Sequence, residues 1–256
     1  MILRRVIKHF RHQEWAAIFL DFLIVVVGVF VGLQVNNWNA ARGERAEEVY
    51  YLKALAGDAK ASIAEVTEQV TFLEKQAAAQ RRLVRFSDGA EQDLTTPELD
   101  ALVQVGLYEL YTVSPRQVTF EELKSSGKLP LLKSSALRTK LQEVDAQIAK
   151  VKQWESDIAQ MFYLFSDPFL IDNYDVRGFA AMTPNKGEGN ITDWLPPLKN
   201  RQDTRTVLQN RRFQNIVLYR GNTGSGLLGL TKALRDSYVD IDALIADRLD
   251  ELGTKP

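Results

Sequence analysis

Cysteine is absent from the 256 residues, and histidine occurs only twice, at His9 and His12. The first absence removes disulfides, thiolate nucleophiles, iron–sulfur clusters and cysteine zinc sites. The second leaves the chain after His12 without a histidine general base, a proximal haem ligand or most transition-metal sites. A charge excess is also lacking: 32 basic residues stand against 33 acidic ones, interspersed along the chain. No basic field of the kind that binds nucleic acid results. Strand-like alternation of useful length and internal repeats are missing as well. These gaps point away from an enzyme, and no cofactor, metal site or catalytic residue is expected.

What the chain does have is an apolar run at residues 15–35, WAAIFLDFLIVVVGVFVGLQV, broken only by Asp21 and Gln34. About 20 such residues rise about 30 Å as a helix, enough to cross a bilayer core. Trp15 and Trp38 bracket the run at positions suited to the membrane interface. The chain then divides into a basic segment at 1–14, a transmembrane helix at 15–38 and a helical domain at 39–256. Arg4, Arg5, Lys8 and Arg11 precede the span, whereas Arg42, Arg45 and Lys53 follow it less densely. Basic residues near the ends set orientation, so the N-terminus is expected in the cytoplasm and the domain outside. A cleaved signal peptide is the rival, but its apolar core would be unusually long and would contain Asp21.

Gly28 and Gly32 form a G-x-x-x-G pair within the run, a spacing that lets two helix backbones approach. At about 100° per residue, Asp21, Val25, Gly28 and Gly32 fall on one face, while Phe22, Val26, Phe30 and Leu33 lie mainly off it. An acid bare to lipid is costly, and a partner helix, water or protonation relieves that cost. Asp21, Gly28 and Gly32 are therefore the candidate association residues, with a homo-oligomer as the favoured outcome.

Downstream, Val49, Leu52, Ala56, Ala59, Ile63, Val66, Val70, Leu73, Ala77 and Val84 recur mostly every three or four residues. This spacing predicts a long amphipathic helix that continues the membrane helix and ends at Ser87-Asp88-Gly89. Thr96-Pro97 opens a second helix, expected to reach about Tyr111 before Val113-Ser114-Pro115 breaks it. Thr119-Phe120-Glu121-Glu122 has the spacing of a capping box, and Gly127 closes the short helix it starts. A third helix follows from about Ser135, with a seam of Leu137, Leu141, Val144, Ile148, Val151, Ile158, Phe162 and Phe165. A last one is expected from near Thr204 to about Leu252. Its seam is Phe213, Val217, Arg220, Gly224, Leu227, Thr231, Leu234, Tyr238, Ile241 and Ile245. Gly221, Gly224, Gly226 and Gly229 fall inside it, and one helix approached closely by a neighbour is favoured over two helices and a loop. The fold class is all-α: a transmembrane helix running into an elongated up-down-up-down four-helix bundle with a coiled-coil-like seam.

Residues 166–200 read as a long loop, because Pro168, Gly178, Pro184, Gly187, Gly189, Pro196 and Pro197 interrupt it. Loops of this length are often functional. Tyr174, Phe179 and Trp194 either pack it onto the bundle or serve as partner contacts. Arg116, beside the Pro115 break, is a further candidate contact because breaks expose backbone donors. The trio Arg81, Arg82 and Arg85 is a solvated face or an anion-holding one.

Two stretches carry a resemblance: LIVVVGVFVGLQVNNWNAARGERAEE at 23–48, preceded by an acid, and TFEELKSSGKLPLLKSSALRTKLQE at 119–143. They resemble the hallmarks of a large uncharacterised family of bacterial single-span proteins, a domain of unknown function. Such proteins show an acid, an apolar run, an LQ-x-NNWNE-type exit and a later ELKSSG-x-L segment; here Ala40 stands where glutamate is usual. The resemblance implies a bacterial membrane anchor and a helical domain; taken with the basic N-terminal flank, the expected location is the bacterial inner membrane with the domain in the periplasm. It implies no substrate, cofactor or catalytic residue.

Ser125-Ser126-Gly127-Lys128 contains S-x-x-K, but the S-D-N and K-T-G elements that accompany it in penicillin-binding enzymes are missing. The glycines of 221–229 lack the order of a phosphate loop. The expected function is that of a structural or interaction protein of the cell envelope that associates with itself or with a membrane or envelope protein. The alternative is a ligand-sensing or energy-coupling subunit that signals sideways through its transmembrane helix.

Overall fold

The computed structural model describes residues 14–180 and 204–254, with backbone only at 14–18 and 179–180. Every described element is helical, and among the described residues no strand forms. The chain divides into two compact units, Met1–Leu52 and Lys53–Pro256.

Helix α1 runs from Glu14 to Ser87, 74 residues. No proline interrupts it. In the first unit, the side chains of residues 19–46 are all exposed, including Phe19, Phe22, Phe30 and Leu33. This stretch is long and apolar enough to cross a membrane. The C-terminus of α1 closes as expected at Gly89, whose φ is +83°. The N–H of Ala90 donates to the Arg85 carbonyl at 2.8 Å, satisfying one of the orphan acceptors of a helix end.

Helix α2, Thr96–Val103, carries Pro97 in its first turn. The Glu98 carboxylate accepts from the Thr95 N–H and from the Thr95 hydroxyl, both at 2.7 Å. The Glu98 half of a capping box therefore sits here. The box expected at Thr119–Glu122 does not form, because Thr119 lies inside helix α3, Val118–Ser125. Its N–H donates instead to Asp58 Oδ2 at 2.9 Å, so a carboxylate from another helix replaces the local cap. Helix α2 widens into a π turn at Gln104–Tyr108 and stops there, short of Tyr111. Residues 109–117 are non-helical. Gly127, with φ +71°, ends α3.

Helix α4 covers Ser135–Met161, its first turn capped by the Ser134 hydroxyl, which accepts from the Leu137 N–H at 3.2 Å. It passes through a second π turn, Phe162–Ser166, into α5, Asp167–Asn173. The irregular stretch expected from residue 166 therefore begins later, since Pro168 occupies the first turn of α5, where its missing N–H costs nothing. A short α6 covers Arg177–Ala180; the rest of the expected loop lies outside the described residues. The π turn also shifts the seam: Phe165 is 46% exposed and Ser166 takes the buried position.

Helix α7, Thr204–Leu208, is separate from α8, Arg211–Glu251. Asn210 caps α8, its Oδ1 accepting from the Arg212 N–H at 2.7 Å. Helix α8 therefore starts later than Thr204, and it runs unbroken through all four glycines. Gly226 shows why glycine is needed there: a Cβ would lie 2.3 Å from the Trp154 ring of α4.

The second unit is built on seams with a strict seven-residue repeat. On α1, Leu55, Ala59, Ser62, Val66, Gln69, Leu73, Gln76, Gln80, Leu83 and Ser87 are all buried, in alternating steps of four and three. On α8 every expected seam residue from Phe213 to Ile245 is buried. This is the spacing of coiled-coil packing. Matched contacts fix the directions. Lys140 pairs with Asp240 at 3.0 Å and Trp154 meets Gly226, so α4 and α8 are antiparallel. Glu74 pairs with Lys232 at 2.7 Å and Gln214 Nε2 donates to the Ser87 carbonyl at 3.3 Å, so α1 and α8 are antiparallel as well. A cluster including Leu83, Phe86, Leu99, Leu107, Leu170 and Phe213 forms the core at one end of the unit.

Candidate functional site

The buried face of α1 contains polar residues that periodicity alone assigns to the surface: Ser62, Gln69, Gln76 and Gln80, each at most 4% exposed. Burying a polar group is costly unless it is hydrogen-bonded. For Ser62, Gln76 and Gln80 the partners are backbone groups of the chain from 105 to 119, which runs antiparallel to α1. Gln80 Nε2 donates to the Gly106 carbonyl at 2.8 Å, and Gln76 Nε2 donates to the carbonyls of Val105 and Glu109, both at 3.0 Å. Further along, Glu65 Oε1 accepts from the Ser114 N–H at 2.6 Å and Ser62 Oγ accepts from the Arg116 N–H at 2.9 Å. A segment without helix or strand has no ladder of its own, so these side chains satisfy it.

Glu155 of α4 is the centre of this lacing. Its Oε1 accepts from Gln69 Nε2 at 2.5 Å and from the Val113 N–H at 3.0 Å. Glu155 fills the seam position between Val151 and Ile158. Burial pushes its carboxyl above the ordinary glutamate range, while the Val113 and Gln69 bonds pull the other way. Among the described residues no set of three His, Cys, Asp or Glu side chains converges for a metal ion. The arrangement is built to hold a backbone in place.

Arg220 is the other charge in a seam. It is 4% exposed, and neither its Nε nor its Nη1 has a hydrogen-bond partner. Burial lowers its pKa to about 10, which leaves it charged at neutral pH. Arg220 was legible as a seam member, and its lack of a partner was not. Glu155 and the α1 glutamines were missed altogether; the signal was a polar residue interrupting a seven-residue repeat.

The expected association residues lie on the exposed stretch of the first unit. Asp21 is exposed, and a Cβ at Gly28 or Gly32 meets nothing within 4 Å. Trp38 is 64% exposed, with the Arg42 guanidinium 5.8 Å above its ring; Trp15 lies in α1 with its side chain outside the described residues. Of the expected partner contacts, Arg116 keeps an exposed side chain but pairs with Asp58 at 3.2 Å, and its backbone N–H is taken by Ser62. Tyr174 turns inward at 6% exposure and donates its hydroxyl to Asp100 Oδ1 at 2.5 Å, so its ring packs the core. Phe179 lies in α6 with its side chain outside the described residues, as is all of Trp194. Arg82 and Arg85 both reach Glu91, at 2.8 and 3.7 Å. Ser125 of the S-x-x-K stretch donates its hydroxyl to the Glu122 carbonyl at 3.2 Å in the last turn of α3.

A family of unknown function, DUF6090, matches residues 21–152, from the acid of the apolar run to the middle of α4 and just over half of the chain. No curated protein and no solved structure matches. By the extent of that match, the chain belongs to the DUF6090 family of unknown function.

Proposed function

We propose that this protein is a membrane-anchored interaction module of the bacterial envelope. In this reading the apolar part of α1 crosses the inner membrane with the N-terminus in the cytoplasm, and the helical domain works in the periplasm without chemistry of its own. The carrying observation is the exposure of residues 19–46, with an open Gly28–Gly32 face inside an otherwise bulky apolar surface. Small residues on a membrane helix allow close backbone packing, and an acid on the same face gains a shielded environment there. A second copy of the chain satisfies both. In the domain, the interrupted leg from α2 to α3 takes the place of the fourth bundle helix, giving an up-down-up-down order. The runner-up is a ligand-sensing subunit that acts sideways through the same helix, favoured by the unpaired Arg220.

Self-association of the full chain in a membrane two-hybrid assay tests the proposal. Gly28→Leu and Gly32→Leu are expected to weaken the signal, while Val26→Leu leaves it unchanged. Equal signals from all three, at equal expression, make the helix a passive anchor.

A further inference from the structure

The seam of α8 is apolar on either side of Arg220, at Phe213 and Leu227. A hydrophobic residue of similar size would pack at such a position at no loss of stability, and often with a gain. A buried guanidinium whose Nε and Nη1 have no acceptor is therefore a cost the fold does not need. Perturbed buried charges cluster at functional sites.

Arg220 lines a cavity of about 280 Å³ between α4 and α8. That is close to the lower end of ligand pockets, about 300–1,000 Å³. The rest of the wall divides by chemistry. Met161, Phe165 and Tyr219 supply an apolar and aromatic side; Arg212 adds a second cation at the rim, and Asn215 an amide. No ion pair engages the Arg212 guanidinium among the described residues; it lies 5.8 Å above the Phe169 ring. Among the described residues no carboxylate lines the cavity. The site opens where the Phe162–Ser166 π turn distorts the chain, a feature frequent at functional sites.

We propose that this cavity binds an amphipathic anion, with a carboxylate or phosphate head on Arg220 and Arg212 and a short apolar chain against Met161, Phe165 and Tyr219. A guanidinium presents its donors in a fork that matches either head group. The apolar wall explains why the site is not a simple phosphate cradle. The inference concerns the helical domain alone and stands whether or not the membrane helix self-associates.

The test uses the full chain in phosphatidylcholine nanodiscs, titrated calorimetrically with decanoate, decyl phosphate, decanol and decyltrimethylammonium, with empty discs subtracted. Saturable binding of the two anions is expected, at least tenfold tighter than decanol, and none of the cation. Arg220→Met is expected to weaken decanoate binding at least tenfold. Arg212→Gln, at an exposed side chain, should weaken it several-fold without touching the fold, so the proposal stays testable if Arg220→Met does not fold. Discs containing phosphatidylglycerol separate the two sources of such a head group. A weaker apparent decanoate affinity there assigns the site to a membrane lipid; an unchanged one assigns it to a free amphiphile. Absence of saturable anion binding, equal affinity for decanol, or wild-type affinity in Arg212→Gln together with Arg220→Met would overturn the proposal.

Discussion

Glu155 is the residue on which pH acts most directly. Its carboxyl is raised by burial, so the folded protein keeps that proton to a higher pH than the unfolded chain does. The stability it confers is fully present below the ordinary glutamate value of about 4.3 and falls as pH rises through the raised folded value. Glu155→Gln keeps an acceptor for the Val113 N–H and removes the charge. Thermal melts should show a higher Tm than wild type at pH 7 and no gain at pH 4. Glu155→Leu strands the Val113 N–H and the Gln69 amide, costing about 1–3 kcal/mol for a buried group left unpaired. The glycines of α8 give a sharper contrast. Gly226→Ala meets the Trp154 ring and is expected to destabilise by about 1–3 kcal/mol, as overpacking does. Gly229→Ala meets nothing within 4 Å and is expected to stabilise by about 0.5–1 kcal/mol, since alanine is the better helix former. Chemical denaturation of both variants checks the pair. The apolar seam residues were legible because periodicity records burial. Gln69 and Glu155 were not, because a polar residue in a seam reads as surface until its partner is known. The partners of Gln69 and Glu155 lie 42 to 86 residues away, a separation that periodicity does not encode.

Among the elements, the leg from α2 to α3 departs furthest from what the sequence suggests. Its ends were legible: Pro97 opens α2, and Gly127 closes α3. Its middle was not. The π turn at Gln104–Tyr108 and the non-helical run after it are held by α1 side chains rather than by local propensity. The same competition explains the displaced capping box, since Asp58 takes the Thr119 N–H before any local cap can. Amides bound this way exchange slowly even though no helical ladder holds them. Hydrogen exchange should show protection at Val113, Ser114 and Arg116. Ser62→Ala should release Arg116 selectively, leaving α4 and α8 unchanged. Fast exchange across all three amides in the wild type would mean that the lacing does not hold in solution.

Across the whole molecule, the sequence and the structure agree on a helical chain with one long apolar stretch near its N-terminus. The interaction reading depends on what covers the face of Gly28 and Gly32. Because the chain has no cysteine, single cysteines report that face without background. The most direct measurement is a cysteine scan of residues 20–35 in the full chain, one position at a time, with oxidative cross-linking in native membranes. The account predicts dimers peaking on the Asp21, Val25, Gly28 and Gly32 face at steps of three and four, with little cross-linking at Val26 and Phe30. Uniform cross-linking around the helix, or none at any position, would contradict it.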